Sequence, residues 1–341
     1  MDAPRNPRYR RAEPDAAANA ARIQRRSSMW TPQFEVFVAP ARRRPELWRL
    51  GVGTVLAFAC YVAVTLLVVV TAAAAFELTA GPLAPVAALR SEAFLTGRTP
   101  TGVVALLFTF AGLGAGAMLA ARWLHARPGR SLLGPGWTRD FVPAAAITLA
   151  LGLGVAGVGL ALGTGGELEL VRNTPTAVFL SFLPAALVAL AVQTGAEEVL
   201  FRGYLQTQLA ARFRSPLAWM VVPSLLFGAL HLDPTALLDT GRPAENDGYI
   251  FAATTLVGLL AADLTRVTGN LGAAWGLHFA NNVQALLIVA LDDMLSGLSL
   301  WKTPFGPEDT ETLPLLLMQD MALLVVIWAA IRLWLARRGR G

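Results

Sequence analysis

Polar side chains interrupt the apolar stretches of this chain at three places, and their types and spacing suit hydrolytic chemistry. In Gly195-Ala196-Glu197-Glu198-Val199-Leu200-Phe201-Arg202, two adjacent carboxyl groups and a guanidinium close an apolar run. Neighbouring residues on a helix point about 100° apart. Glu198 and Arg202, at i and i+4, therefore share a face and can pair, while Glu197 is left against Leu200 and Phe201 without an evident partner. The second place is Phe227-Gly228-Ala229-Leu230-His231, and the third is His278-Phe279-Ala280-Asn281-Asn282. Phe227 and His231 are one helical turn apart, and so are His278 and Asn282. The chain has three histidines, His125, His231 and His278. His125 follows Leu124 among arginines and reads as interfacial, whereas the other two fall inside apolar runs, where an imidazole is costly and marks a site by default. A carboxylate and two imidazoles can move protons and activate water, or they can ligate zinc and leave a position open. Taken singly, each motif has a bland reading as a solvated helix end or a helix-packing hydrogen bond. Six such residues on three runs are harder to dismiss.

These residues have to be positioned by membrane helices. Of the 341 residues, 55% are hydrophobic and 15% charged, against roughly a quarter charged in a soluble domain. The mean hydropathy is +0.53. Uncharged runs of about twenty residues match the roughly 30 Å hydrocarbon core of a bilayer. The expected fold is an all-α polytopic membrane protein with about eight spans, near Leu50–Ala75, Thr101–Leu124, Phe141–Leu162, Thr176–Ala196, Leu217–His231, Ile250–Ala262, Leu271–Leu291 and Leu313–Leu335. The fifth and sixth are short for a full span, and the fourth is expected to continue as a polar-faced helix to about Phe213. No internal repeat is visible, and the first apolar run begins too late for a cleavable signal peptide.

Charge sets the organisation. Residues 1–48 carry ten Arg against five acids, and the rest of the chain is neutral. This tail, rich in Arg, Ala and Pro, is expected to be mostly disordered; the membrane domain is 49–341, with the core of the site at about 176–291. A basic tail joined to membrane helices serves orientation and headgroup contact rather than nucleic acid. With the tail cytoplasmic, Arg122, Arg127, Arg130, Arg139, Arg212, Arg214, Arg266, Arg332, Arg337, Arg338 and Arg340 share its side. Arg90, Arg98, Arg172, Arg242 and Lys302 lie opposite, among acids including Asp233, Asp247, Asp292, Asp293 and Glu308. The bias alternates consistently with both termini inside. Cys60 is the only cysteine, so no intrachain disulfide can form. The abundance of Arg, Ala, Leu and Gly beside one lysine suggests a GC-rich bacterial genome, and hence a bacterial inner membrane.

The three motifs can converge. Glu197 and His231 each stand seventeen residues from Arg214, where Arg-Ser-Pro reads as a helix-breaking turn. In an antiparallel hairpin folded there they have the same height. His278 lies about seven residues, on the order of 10 Å, inside its own span. Residues 232–249 then have to reach the far side by a path that the pattern does not supply.

Glu-Glu-x-x-x-Arg, Phe-x-x-x-His and His-x-x-x-Asn, in this order on separate apolar spans, resemble the CPBP intramembrane endopeptidases, the relatives of the type II CAAX prenyl proteases, also called the Abi family. The resemblance covers about 176–291. It implies that Glu197 and His231 activate a water for attack on a peptide carbonyl, and that His278 and Asn282 stabilise the oxyanion. It also implies that Glu198 and Arg202 fix the helix around Glu197, and that Phe227 packs beside the base.

The family's older description as metalloproteases keeps zinc open, with Glu197, His231 and His278 as the ligands. The zincin signature His-Glu-x-x-His is absent, so chemistry without a cofactor is the favoured expectation. The expected function is thus hydrolysis of a peptide bond in a hydrophobic or lipid-anchored, membrane-associated peptide or protein. Two other classes remain: a catalytically silent scaffold or immunity-type protein, and a proton-coupled transporter, which the missing repeats disfavour.

Overall fold

The computed structural model describes residues 30–80, 91–161, 170–233, 236, 238–239 and 241–339. Along the chain run α1 (Pro32–Val38), α2 (Leu47–Ala80), α3 (Pro100–Thr109), α4 (Ala111–Leu124) and α5 (Trp137–Ala161). Next come β1 (Val171–Arg172), α6 (Thr176–Glu198), a π-helical stretch Val199–Gln206 and α7 (Thr207–Arg212). The second half holds α8 (Val222–Ala229), α9 (Asp247–Thr268), α10 (Gly272–Val283), β2 (Val289–Ala290), β3 (Trp301–Lys302) and α11 (Leu313–Arg338). The chain is an all-α, multi-pass integral membrane protein. Among the described residues, six helical stretches are long and apolar enough to cross a bilayer: Leu47–Ala75, Pro100–Leu124, Trp137–Gly159, Thr176–Arg212, Asp247–Thr268 and Leu313–Arg338.

The other two expected spans are also helical, but shorter. Leu217–Ala229 starts in a π-helical turn and continues as α8. Helix α10 continues as a second π-helical turn to Ile288. The sixth span, expected to be short, runs the full length of α9. Helix α8 packs antiparallel on α9, with Gly258 against Ser224 and Gly228 against Phe251 and Thr255. At the top of this pair the Asp233 amide donates to Asp247 Oδ1 at 3.2 Å. A short α8 therefore reaches the first turn of α9; of the connection after His231, residues 234, 235, 237 and 240 lie outside the described residues.

Helix α10, which carries the third motif, is seated by close backbone approach. Gly272 lies on the Trp137 carbonyl and Gly276 on the Phe141 carbonyl, positions at which a Cβ would collide with α5. Small residues four apart let two backbones meet where lipid supplies no hydrophobic drive. The far end of α10 leads into β2, which pairs parallel with β3, while β1 pairs antiparallel with the other edge of β3.

Thr31 and Arg338, near the two ends of the described residues, lie at one end of the bundle. Arg338 donates to Asp140 Oδ1 at 2.6 Å and Asn270 to Asp140 Oδ2 at 2.8 Å, while Thr31 Oγ1 donates to the Arg266 carbonyl at 2.6 Å.

The expectation of a disordered tail needs correction from residue 32 onward; residues 1–29 lie outside the described residues. Thr31 caps α1 by accepting from the Phe34 amide at 3.1 Å, with Pro32 pre-set for the first turn. Phe34, Phe37, Val38 and Ala41 are buried in the main core. Trp30, Phe34 and Trp219 form an aromatic cluster with ring centroids 5.0–6.1 Å apart. The Phe-x-x-Phe-Val pattern that does this is masked when composition is averaged over the arginine-rich tail.

Candidate active site

The centre of the site is a set of buried charges between α6 and α10. Glu198 is fully buried and Arg202 is 2% exposed. The Arg202 NH1 donates to Glu198 Oε1 at 3.0 Å, the pairing that the i, i+4 spacing predicts. The Arg202 guanidinium also lies over the Phe227 ring, 4.8 Å from its centroid. The pair straddles the start of the π-helical stretch, a wider turn that often marks functional positions within helices.

His278 joins both carboxyl groups. Its Nδ1 donates to Glu198 Oε1 at 2.9 Å, and its Nε2 stands 3.4 Å from Glu197 Oε2. Residual capacity remains: the Oε2 atoms of Glu197 and Glu198 and the NH2 of Arg202 are buried without hydrogen-bond partners. Buried polar atoms are nearly always satisfied in folded proteins, so this concentration at one place is itself a signal.

His231 is held by its own helix. Its Nδ1 donates to the Phe227 carbonyl at 2.8 Å. A carbonyl can only accept, so this bond fixes the tautomer of the neutral ring and leaves the Nε2 lone pair free. Among the described residues no direct hydrogen bond joins His231 to Glu197. The ring of Phe227 contacts both imidazoles, with centroids 4.8 Å from His231 and 5.8 Å from His278. The imidazole in contact with Glu197 is thus His278. Asn282 lies one turn beyond it on α10 and donates to Gln193 Oε1 at 3.1 Å.

Zinc was the alternative use of Glu197, His231 and His278. Among the described residues no group of three or more His, Cys, Asp or Glu converges as a metal site. Glu197 and His278 meet, but His231 does not join them, and Glu198 Oε1 is already shared by Arg202 and His278. The donors do not form the expected set.

Three contacts around the site were missed in the sequence. Gln193 is one turn before Glu197 on α6; a glutamine inside an apolar run was the available signal. The indole of Trp275 donates to Thr194 Oγ1 at 3.1 Å and covers Gly195, where a Cβ would strike the ring. His125 is fully buried rather than interfacial. Its Nδ1 donates to the Arg44 carbonyl at 2.7 Å and its Nε2 accepts from Tyr204 at 2.8 Å. Burial holds this imidazole below its ordinary pKa against the opposing effect of the Arg44 carbonyl, consistent with a neutral ring that pins the π-helical stretch. An apolar cleft of about 600 Å³ opens between α4 and α6 and is also lined by Trp137 and Trp275. Neither Glu197 nor His278 lines it.

The decisive comparison covers this part of the chain. Residues 179–284 match the type II CAAX prenyl endopeptidase Rce1-like family. All three motifs lie inside this Rce1-like segment, so the resemblance drawn from them is borne out. At the level of the family the match supports an intramembrane protease of the CAAX type. The chain is also similar to the uncharacterized protein YyaK of Bacillus subtilis (strain 168), with 29% identity over 121 residues. The match takes in 35% of this chain and 38% of that relative, well under half of either. No solved structure matches the chain.

Proposed function

We propose that the protein is an intramembrane endopeptidase that hydrolyses a peptide bond of a hydrophobic or lipid-anchored substrate with a water activated by Glu197. The observation that carries this reading is the unpaired, buried Glu197 Oε2 beside His278 Nε2, within a segment that matches a peptidase family. Glu197 takes a proton from the water as the water oxygen bonds to the peptide carbonyl carbon. The free Nε2 of His231 is the second acceptor for that water. The oxyanion is met by N–H groups of His278 Nε2 and Asn282 Nδ2. As the C–N bond breaks, the proton held by Glu197 passes to the leaving amine. Glu198 and Arg202 keep the His278 ring oriented and balance its charge. No step in this scheme requires a metal.

The test uses the full chain in proteoliposomes and two internally quenched peptides ending in Cys-aliphatic-aliphatic-X, one S-farnesylated and one not. Wild type should cleave at least one of them, Glu197→Gln should not, and chelators should leave the rate unchanged. Absence of any Glu197-dependent cleavage would overturn the hydrolase reading. Stoichiometric zinc, with activity lost on its removal and restored on its return, would overturn the metal-free mechanism alone. We also infer that the arginine-rich end of the bundle faces the cytoplasm. Single cysteines at residue 308 should then be labelled only from outside, and labelling only from inside would reverse the assignment.

A further inference from the structure

We propose that Gln193 is a positioning residue for the oxyanion site: it fixes the rotation of the Asn282 carboxamide, so that one N–H is held by Gln193 and the other is presented to the reacting carbonyl. The inference rests on the hydrolase reading above. Gln193 lies one turn before Glu197 on α6, and Asn282 lies one turn after His278 on α10, so this pair repeats the Glu197–His278 contact one turn farther along the same two helices. Gln193 is 7% exposed, and its Oε1 accepts from Asn282 Nδ2 at 3.1 Å.

The chemistry of the two amides makes the arrangement directional. A carboxamide carries two N–H donors on nitrogen and an acceptor oxygen, and it rotates about its last bond between two orientations. For Asn282 to act as an oxyanion donor, its nitrogen rather than its oxygen must face the carbonyl. An acceptor placed against one of its N–H groups selects that orientation before substrate binds. Gln193 Oε1 is such an acceptor, and bonding through oxygen commits its own Nε2 away from Asn282. Without it, the Asn282 amide is free to turn its oxygen toward the developing negative charge. Preorganised donors of this kind accelerate the reaction because they need no reorientation in the transition state.

The experiment compares Gln193→Met, Gln193→Glu, Asn282→Ala and the double variant Gln193→Met/Asn282→Ala with wild type, using the full chain in proteoliposomes and the quenched peptide that wild type cleaves. Methionine keeps the length of the side chain and removes the acceptor, whereas glutamate keeps an acceptor oxygen at the same reach. Gln193→Met should lose about 10²-fold in kcat, the scale of a small misplacement in an active site, with little change in KM and in thermal stability. Gln193→Glu should turn over faster than Gln193→Met. The double variant should be no slower than Asn282→Ala, because the two residues act as one unit. Wild-type kcat in Gln193→Met would overturn the inference, and so would losses that multiply in the double variant. If Gln193→Met does not accumulate folded protein, Gln193→Leu takes its place in the same cycle. Glu197→Gln run in parallel separates the levels. Glu197-dependent cleavage with an unaffected Gln193 variant removes only this inference. Absence of Glu197-dependent cleavage removes the hydrolase reading and this inference with it.

Discussion

Two buried charge clusters in this molecule are built from similar side chains and satisfied to opposite degrees. At the arginine-rich end, Asp263 on α9 accepts from Arg266 through Oδ1 at 2.6 and 3.1 Å. Its Oδ2 accepts from the Trp328 indole at 2.9 Å and from Arg332, both on α11. Every oxygen of that carboxylate is used. In the cluster of Glu197, Glu198, Arg202 and His278, three polar atoms are buried and unused. A saturated cluster is a clasp: it ties α11 to α9 and has nothing left to offer a ligand. An unsaturated one carries a desolvation cost that folding alone does not justify, and Glu197 Oε2 is an acceptor that a water would satisfy. Sequence type does not distinguish the two clusters, but their hydrogen-bond accounting does.

Substitutions in the two clusters should therefore separate stability from turnover. Asp263→Ala leaves Arg266 and Arg332 without a buried counter-charge and should cost about 3–5 kcal/mol of stability. Thermal unfolding in detergent should show the loss, while the kcat of the remaining folded protein stays near wild type. Arg202→Ala should lose on both counts, since it strands Glu198 and frees the His278 ring; a well-expressed variant with an unchanged melting temperature would break the assignment of Arg202 as the brace of the site. Asn282→Ala should behave in the reverse sense to Asp263→Ala, with kcat down by roughly 10²–10³-fold, the usual loss for one oxyanion donor, and an unchanged melting temperature. The smallest effect belongs to the edge of the clasp. Thr31→Ala removes the cap of α1 and its bond to the Arg266 carbonyl, and should cost on the order of 1 kcal/mol without a change in turnover.

Much of this architecture was legible because a bilayer imposes simple arithmetic on a sequence. Apolar runs of spanning length, separated by charges of alternating bias, located the six long spans and the two shorter helices α8 and α10, and the i, i+4 rule found the Glu198–Arg202 pair. Height along a helix is open to counting, which from Arg214 puts Glu197 and His231 near one level as an expectation. The azimuth is not. Position along a helix does not fix its rotation, which follows from contacts such as Gly272 and Gly276 on α5. That is why His278, and not His231, is the imidazole against Glu197. The short strands β1, β2 and β3 escaped because two-residue pairings leave no periodic trace. Residues 32–43 escaped for a different reason, since a brief amphipathic turn is invisible in a composition dominated by its arginine-rich neighbours.

The most direct test of the central claim sets Glu197→Gln beside Asp263→Asn, reading turnover of the quenched peptides and melting temperature for each in the same proteoliposomes. Both changes remove one carboxylate charge and keep the shape of the side chain. The account predicts that Glu197→Gln loses turnover by about 10²–10⁴-fold, the range for a general base, with a melting temperature equal to or above that of wild type. Asp263→Asn should instead lower the melting temperature and leave turnover of the folded protein intact. A Glu197→Gln protein that melts early and still cleaves would contradict it, because the unsatisfied carboxyl group would then be part of the scaffold rather than of the chemistry.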